Sequence, residues 1–395
     1  MIAFENALEQ VLEHPLDLGT EKVALLKSAG RILAEDIEAD RDFPPFDRST
    51  KDGIAIAFSA IESGSDSFEI EGVLSAGMPQ GTLSSPDHCL EIMTGAVLPH
   101  NADTIVMYEH TEIKDGRAKI LKKPVRGQNI HGRGSDITAG AILLKKGTPI
   151  TPAVIGVLAS VGKTGVLVKK LPKVCVVSTG NELVEVEETP LPHQIRKSNV
   201  LSLSAELTKK SIDHTLLHLP DDRDLIAGAL EKALSTHDVL MLSGGVSKGK
   251  FDYVPEVLDA LGIEKIFHRV AQRPGKPFWF GVQKERNKVV FSFPGNPVST
   301  FANYHVYFLA WLDRLLGQNT GKSTVIVDEP VPAHTALTLF LQVETFWREG
   351  QLHGKLVQGN GSGDLVNLAQ ANGFIQVAPG EHTFQKGSVF PFIPV

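Results

Sequence analysis

The sequence predicts a multidomain protein of α/β plus β class, with a central doubly wound α/β domain, an inserted mostly-β module and a small β-barrel-like C-terminal domain. Three observations predict it. From Lys173 to about Gly317, strand-like runs alternate with helical ones, the pattern of a parallel sheet covered on both faces. From about Ile54 to Arg126, short β-type runs are separated by Gly, Pro and Asp. From Lys322 to Val395, alternation returns in TLFLQVETF and GFIQVA. A chain of 395 residues is also too long for one ordinary core, and roughly 100–200 residues per domain predicts two to four domains.

The elements follow in order. FENALEQVLEH sets Phe4, Leu8, Val11 and Leu12 at helical spacing, and ALLKSAGRILAEDI reads as a second helical stretch. Pro44, Pro45 and Gly53 in RDFPPFDRSTKDG then stop regular structure and mark a domain crossing. FEIEGVL, CLEIMTG, DTIVMYEHTEI and AKILKK make up the β module, after which GAILLKKGTPITPAVIGVLASVG returns to strand and helix. The boundaries expected are 1–45 with 127–172 as a discontinuous first domain, 46–126 inserted, 173–320 α/β and 321–395 C-terminal. Within the α/β part, KVCVVST, HTLLHL, DVLMLSGG and KVVFSFPGNP each precede a helical run. Ligands of open α/β sheets bind outside the carboxyl ends of the strands. Those ends carry STGNEL, SGGVSKGKFD and FPGNPVS, which predicts three polar, glycine-bearing loops on one edge.

Composition narrows the function classes. Hydrophobic residues at 42% and charged ones at 22% are those of a folded globular chain. A net charge of −7 argues against a nucleic-acid surface, since phosphate backbones are held by clustered Lys and Arg. MIAFENALEQ has no basic segment leading into an apolar one, and the apolar run VYFLAWL between His305 and Asp313 is far short of a membrane span. A cytoplasmic protein without a membrane partner is expected. Cys89 and Cys175 form no CxxC pair, which disfavours a disulfide scaffold or a thiolate zinc site, and Cys175 in VCVV reads as a small buried hydrophobe.

LSGGVSKGKFD comes close to a phosphate-binding P-loop, but Phe251 stands where a hydroxyl should ligate Mg²⁺. Gly244 and Gly245 would still let backbone amides approach a phosphate, whereas a tight turn without ligand is the plainer reading. Asp252 and Glu182 offer carboxylates that would suit Mg²⁺ beside such a loop. Arg269, Arg273 and Lys276 in HRVAQRPGKPFWFG suit a tetrahedral oxyanion, or a solvated basic loop. Asp52, Asp103 and Asp136 are acids in turns, and Thr94 ends a strand in MTGA. No HExxH or GxSxG is present to support a zinc or serine hydrolase.

Taken together, FPPFDRSTKDGIA, EIMTGAVLPHNADTIVMYE, the run from GSD through ITPAVIGVLASVG, VVSTGNEL, SNVLSL, DVLMLSGGVSKGKFDYV, RPGKPFWFG and FPGNPVS resemble the MoeA family of molybdopterin molybdenumtransferases, related to the gephyrin E domain. The resemblance is specific as a set up to about residue 317 and looser beyond it. It implies the last step of molybdenum cofactor synthesis, in which molybdate is inserted into adenylylated molybdopterin and AMP leaves with Mg²⁺. It also implies a homodimer, with residues 1–45 and 127–172 as the linking and dimerising part, a cleft shared between subunits, and room for the molybdopterin adenylyltransferase as a partner. The family's functional acids fall on Asp52, Asp136, Glu182, Asp221 and Asp252, with Thr94 as polar partner and Glu182 and Asp252 assigned to Mg²⁺. Substrate contacts fall on Ser243, Gly244, Gly245, Ser247, Arg269, Arg273, Lys276, Pro294, Asn296 and Ser362, and Lys250 becomes a solvent-facing residue. The chain departs from the family at Ile54, at Arg273 before PGKP and in FPGNP. Two competing readings are the adenylyltransferase, whose fold resembles residues 173–317, and a non-catalytic scaffold.

Overall fold

The computed structural model describes residues 1–246, 253–318, 321, 323–359 and 361–395. Ser247, Lys250, Phe251 and Asp252 therefore lie outside the described residues. The chain divides into two compact units, Met1–Glu21 with Lys169–Val395, and Lys22–Val168.

In the first unit a six-stranded sheet is built from β1 (Val174–Thr179), β2 (His214–Leu219), β3 (Val239–Ser243), β4 (Glu264–His268), β5 (Trp279–Gln283) and β6 (Lys288–Phe293), in the order β2-β1-β3-β6-β5-β4. β2, β1, β3 and β6 run parallel, as the alternation predicts. β5 and β4 run antiparallel to their neighbours, so the sheet is mixed rather than wholly parallel. No helix separates β5 from β6, only a short turn in which Asn287 has φ 54, and a turn that short can join only antiparallel strands.

Both sheet faces are covered because successive side chains point to opposite sides. Val174, Val176, Val239, Met241, Val289 and Phe291 face one core, packed on α1 (Phe4–Leu12), α2 (Asn199–Lys209), α5 (Pro297–Asn303) and α6 (Leu309–Leu316). Cys175, Val177, Leu240, Leu242 and Val290 face the other, under α3 (Arg223–Thr236) and α4 (Val254–Ala260). Cys175 is thus the small buried hydrophobe that the sequence suggests. Residues 1–21 belong to this unit because α1 buries Phe4 edge-on against Tyr307 and Phe340, at ring centroid distances of 5.9 and 5.1 Å. α5 and α6 form one continuous rod, interrupted by a π-helical turn over Tyr304–Phe308 and closed by Gly317 at φ 70.

The C-terminal strands close on themselves. β7 (Ser323–Val327), β8 (Thr338–Arg348), β9 (Gln351–Leu356), β10 (Gly373–Val377) and β11 (Val389–Pro394) pair in the circuit β8-β9-β7-β11-β10-β8. The eleven residues of β8 let it pair with both β9 and β10, which removes free sheet edges. Val325, Val327, Leu339, Val343, Ile375 and Phe390 fill the interior.

The second unit holds another six-stranded sheet, ordered Thr104–Met107, Gly53–Ile56, His88–Ile92, Ser67–Leu74, Arg117–Ile120 and Thr111–Lys114. DTIVMYEHTEI, read as one β-type run, is two strands on opposite edges of that sheet, parted by a 3₁₀ turn at Tyr108–His110. ALLKSAGRILAEDI is likewise not one helix. It is a 3₁₀ turn at Leu25–Ser28 followed by extended chain, with Leu33 bridging Val168 and Ile37–Glu38 pairing with Ile142–Leu144. Gly30 at φ 78 ends the helical geometry, and non-local pairing then buries Leu33 and Ile37 in the cluster around Leu158 and Val166.

Candidate active site at the strand ends

The carboxyl ends of parallel β1, β3 and β6 open into a cavity of about 370 Å³. The described parts of all three expected loops line it, through Ser178 to Leu183 of the first, Ser243 to Val246 of the second and Pro294 to Pro297 of the third.

Glycine at two positions permits this convergence. Gly180 has φ 133, and a Cβ there would lie 2.2 Å from Glu182 Oε2, so the carboxylate folds back over bare backbone. Gly245 has φ 71, and a Cβ would meet Val254 Cγ2 at 2.7 Å and Thr179 Oγ1 at 3.0 Å. Strand β3 can therefore turn sharply beside the end of β1.

Two acids reach the cavity. Glu182 follows β1, and Asp221 follows β2 and is tied to the first loop by reciprocal bonds with Asn181, whose N–H donates to Asp221 Oδ2 at 3.4 Å and whose Oδ1 accepts the Asp221 N–H at 3.2 Å. Next to it Asp222 caps α3, accepting the N–H groups of Asp224 and Leu225 at 3.0 Å each. Asn296 donates to Ser362 Oγ at 2.7 Å and the Val298 N–H donates to the Ser362 carbonyl at 3.1 Å, which brings Ser362 to the rim across more than sixty intervening residues.

Several residues at the cavity carried no role in the sequence reading. Lys197 is only 9% exposed and is hydrogen-bonded to the half-exposed Glu185, whose carboxyl it holds below the usual carboxylate range. Arg196 lines the same wall. Burial, then the nearby Lys197 ammonium, pushes the His218 imidazole below its usual range, and His218 Nδ1 sits 3.0 Å from Ser178 Oγ. Asn199 opens α2 and donates through Nδ2 to Gly295 O at 2.7 Å and Ser243 Oγ at 2.9 Å. Asn199 stood in the family-like stretch SNVLSL without a role assigned to it, and Arg196 and Lys197 directly precede that stretch.

The expected basic positions stand apart from the cavity lining. Arg273 and Lys276 are exposed, Arg269 is half-buried with φ 74, and of their loop only Pro277 lines the cavity. The loop itself is rigid in construction. Gln272 is fully buried and bonds Pro274 O and Asn303 Oδ1 at 2.9 Å each, and Gly275 leaves no room for a Cβ, which would lie 2.2 Å from Asn303 Oδ1.

In the second unit Asp52 Oδ1 accepts the backbone N–H of Thr94 at 2.6 Å and its hydroxyl at 2.7 Å, and these two bonds lower the carboxyl's pKa. Asp136 Oδ1 sits 2.8 Å from His131 Nε2, and His131 Nδ1 faces Arg48 Nη2 at 3.3 Å. Asp103 instead accepts the distant Phe58 N–H at 2.7 Å and pairs with Arg126 at 3.3 Å, so it ties separate segments together.

An open α/β sheet with glycine loops, carboxylates and hydroxyls converging at its strand ends is the architecture of proteins that bind a small ligand outside the carboxyl ends of their strands. Comparison with known proteins sharpens this. Three family descriptions match in succession: the MoeA N-terminal region (domain I and II) over residues 2–162, the "Probable molybdopterin binding domain" over 175–314, and the MoeA C-terminal region (domain IV) over 325–395. A molybdopterin molybdenumtransferase of Synechocystis is 38% identical, covering 99% of each chain, and one of Bacillus subtilis is 31% identical, covering 98% of this chain and 92% of the relative. The crystal structure of a molybdopterin biosynthesis MoeA protein from Pyrococcus superposes with a TM-score of 0.84 at 30% identity, covering 100% of this chain and 99% of that one. The chain belongs to the MoeA family.

Proposed function

We infer that this protein is a molybdopterin molybdenumtransferase, inserting molybdenum in the final step of molybdenum cofactor biosynthesis. The observation that carries the reading is the convergence of the three family-like loops on one cavity at the strand ends of a chain related to such enzymes over its whole length. The finer chemistry is part of the proposal. The substrate is adenylylated molybdopterin together with molybdate, and AMP is released.

The donor set fits Mg²⁺, since Glu182 and Asp221 both line the cavity and such an ion takes one or two carboxylates plus phosphate oxygens and waters. Among the described residues no three His, Cys, Asp or Glu side chains gather into a metal cage, which suits an ion completed by substrate. Glu182 and Asp252 are proposed to hold it, and when bound it would neutralise the phosphates and withdraw charge from departing AMP.

The protein's own groups do the rest. Gly244 and Gly245 present backbone to the phosphates, with Ser243 and Ser247 as hydroxyl partners, while Pro294, Asn296 and Ser362 form the opposite rim. Arg269, Arg273 and Lys276 are proposed to attract molybdate, because carboxylates such as Glu182 would repel that dianion. The substrate's sulfurs take the molybdenum, so the buried Cys89 and Cys175 are not needed as ligands. The proposal extends to a cytoplasmic homodimer to whose shared cleft Asp52, Thr94 and Asp136 contribute, to a four-part division at 1–45 with 127–172, 46–126, 173–320 and 321–395, and to docking with the adenylyltransferase that supplies the substrate.

The test is direct. Purified protein given adenylylated molybdopterin, molybdate and Mg²⁺ is expected to release AMP and active cofactor, and Glu182→Ala or Asp252→Ala to lose at least about a hundredfold in rate. Unchanged turnover in both variants would remove the metal assignment. Formation of the adenylylated cofactor from ATP and molybdopterin would instead favour the adenylyltransferase reading.

A further inference from the structure

Asn199 ties the start of α2 to the ends of β3 and β6 at the cavity. It opens α2, yet its Nδ2 lies 2.7 Å from Gly295 O after β6, 2.9 Å from Ser243 Oγ at the end of β3 and 3.4 Å from Thr300 Oγ1 in α5. A backbone carbonyl can only accept, so the atom facing Gly295 must be the amide nitrogen, and this fixes which way the side chain is turned. Thr300 in turn donates to Pro294 O at 2.5 Å, which fixes the hydroxyl's proton away from Asn199.

Both Nδ2 hydrogens are thereby spent on the protein. Oδ1 is left over, and it bonds no described residue and is not sealed from solvent, although Asn199 lines the cavity. Locked in this orientation, Asn199 shows the cavity an acceptor and never a donor.

We propose that Asn199 is a specificity-determining residue whose Oδ1 accepts a hydrogen from an amino group on a heterocyclic ring of the bound substrate, and so discriminates against the oxo analogue. This rests on the reading of the cavity as the site of an adenylylated pterin, which carries two such rings, each with an exocyclic amine. A site built to accept from an N–H group opposes a carbonyl in its place, because two acceptors then face each other without water between them.

The experiment is a cycle of binding constants measured by titration calorimetry with the full chain and Mg²⁺. AMP is compared with inosine monophosphate, which has an oxo group for the purine amine, and pterin with lumazine, which has one for the pteridine amine. The wild type is expected to prefer the amino ligand by ~10-fold or more in one of the two pairs, and that pair identifies the ring. In Asn199→Ala the preference should shrink to within about twofold. Absence of a preference in both pairs, or a preference undiminished in Asn199→Ala, would overturn the proposal. If neither AMP nor pterin binds the wild type at all, the reading of the cavity as a dinucleotide site falls, and this inference with it.

Discussion

Single residues at the site are constrained by close contact more than by charge. Gly180 is the sharpest case, since its φ of 133 strains any L side chain and a Cβ there would displace the Glu182 carboxylate, 2.2 Å away. Gly180→Ala is expected to abolish AMP release while costing on the order of 1–3 kcal/mol in folding, read by parallel turnover and urea melts. A second residue sets a pH dependence. Burial pushes the His305 imidazole down to about 3, between the rings of Phe301 and Tyr304. Between that value and about 6.5 the unfolded chain binds the proton more readily than the folded one, so stability is full above about pH 6.5 and declines as pH falls toward 3. His305→Leu should flatten this slope, and chemical melts at pH 4.5 and 7.5 that differ as much in the variant as in the wild type would refute the assignment. Gly180 was visible in TGNEL as a turn former, but nothing in the string told that Glu182 folds over it.

At the scale of elements, the loop carrying Arg273 and Lys276 owes its shape to the rod behind it. Gln272, Asn303 and Tyr307 form a buried hydrogen-bonded chain, and Gly275 packs directly on Asn303. Gly275→Ala should therefore destabilise the protein by roughly 2 kcal/mol or more and weaken molybdate capture, seen as a raised KM for molybdate with a lesser change in kcat. Loss of stability without any change in KM would show that the basic loop is not the oxyanion site. The elements themselves were largely legible. Short apolar runs in VCVV and VVFSF and helical spacing in FENALEQVL predicted β1, β6 and α1, because the two strands are buried on both faces of their sheet and the helix along one stripe. ALLKSAGRILAEDI misled because its apolar residues fit helical spacing, while their burial comes from strands at 142–144 and 165–169 that periodicity cannot see.

For the whole molecule, the proposed homodimer makes a hydrodynamic prediction. Light scattering should give close to twice the chain mass of 42.7 kDa, and a concentration-independent monomer would require that Asp52, Thr94 and Asp136 act in some other way. Asp52→Ala is expected to leave the dimer intact while reducing AMP release by at least ~10-fold, because the variant removes an exposed carboxylate and no core contact. The class of fold, the three glycine-bearing loops and their place at strand ends were legible in the chain before any tertiary contact was known, since those follow from local periodicity and from turn chemistry. The sequence also carried the family, through loops whose spacing is set by that same framework. The tertiary structure was needed to show that Lys197 and Asn199 stand at the cavity while Arg273 and Lys276 lie outside its lining. The physical reason is that chain closure, not local pattern, fixes which distant side chains meet. Asn199 reaches Ser243, Gly295 and Thr300 across 44, 96 and 101 positions of sequence, and no periodicity extends that far.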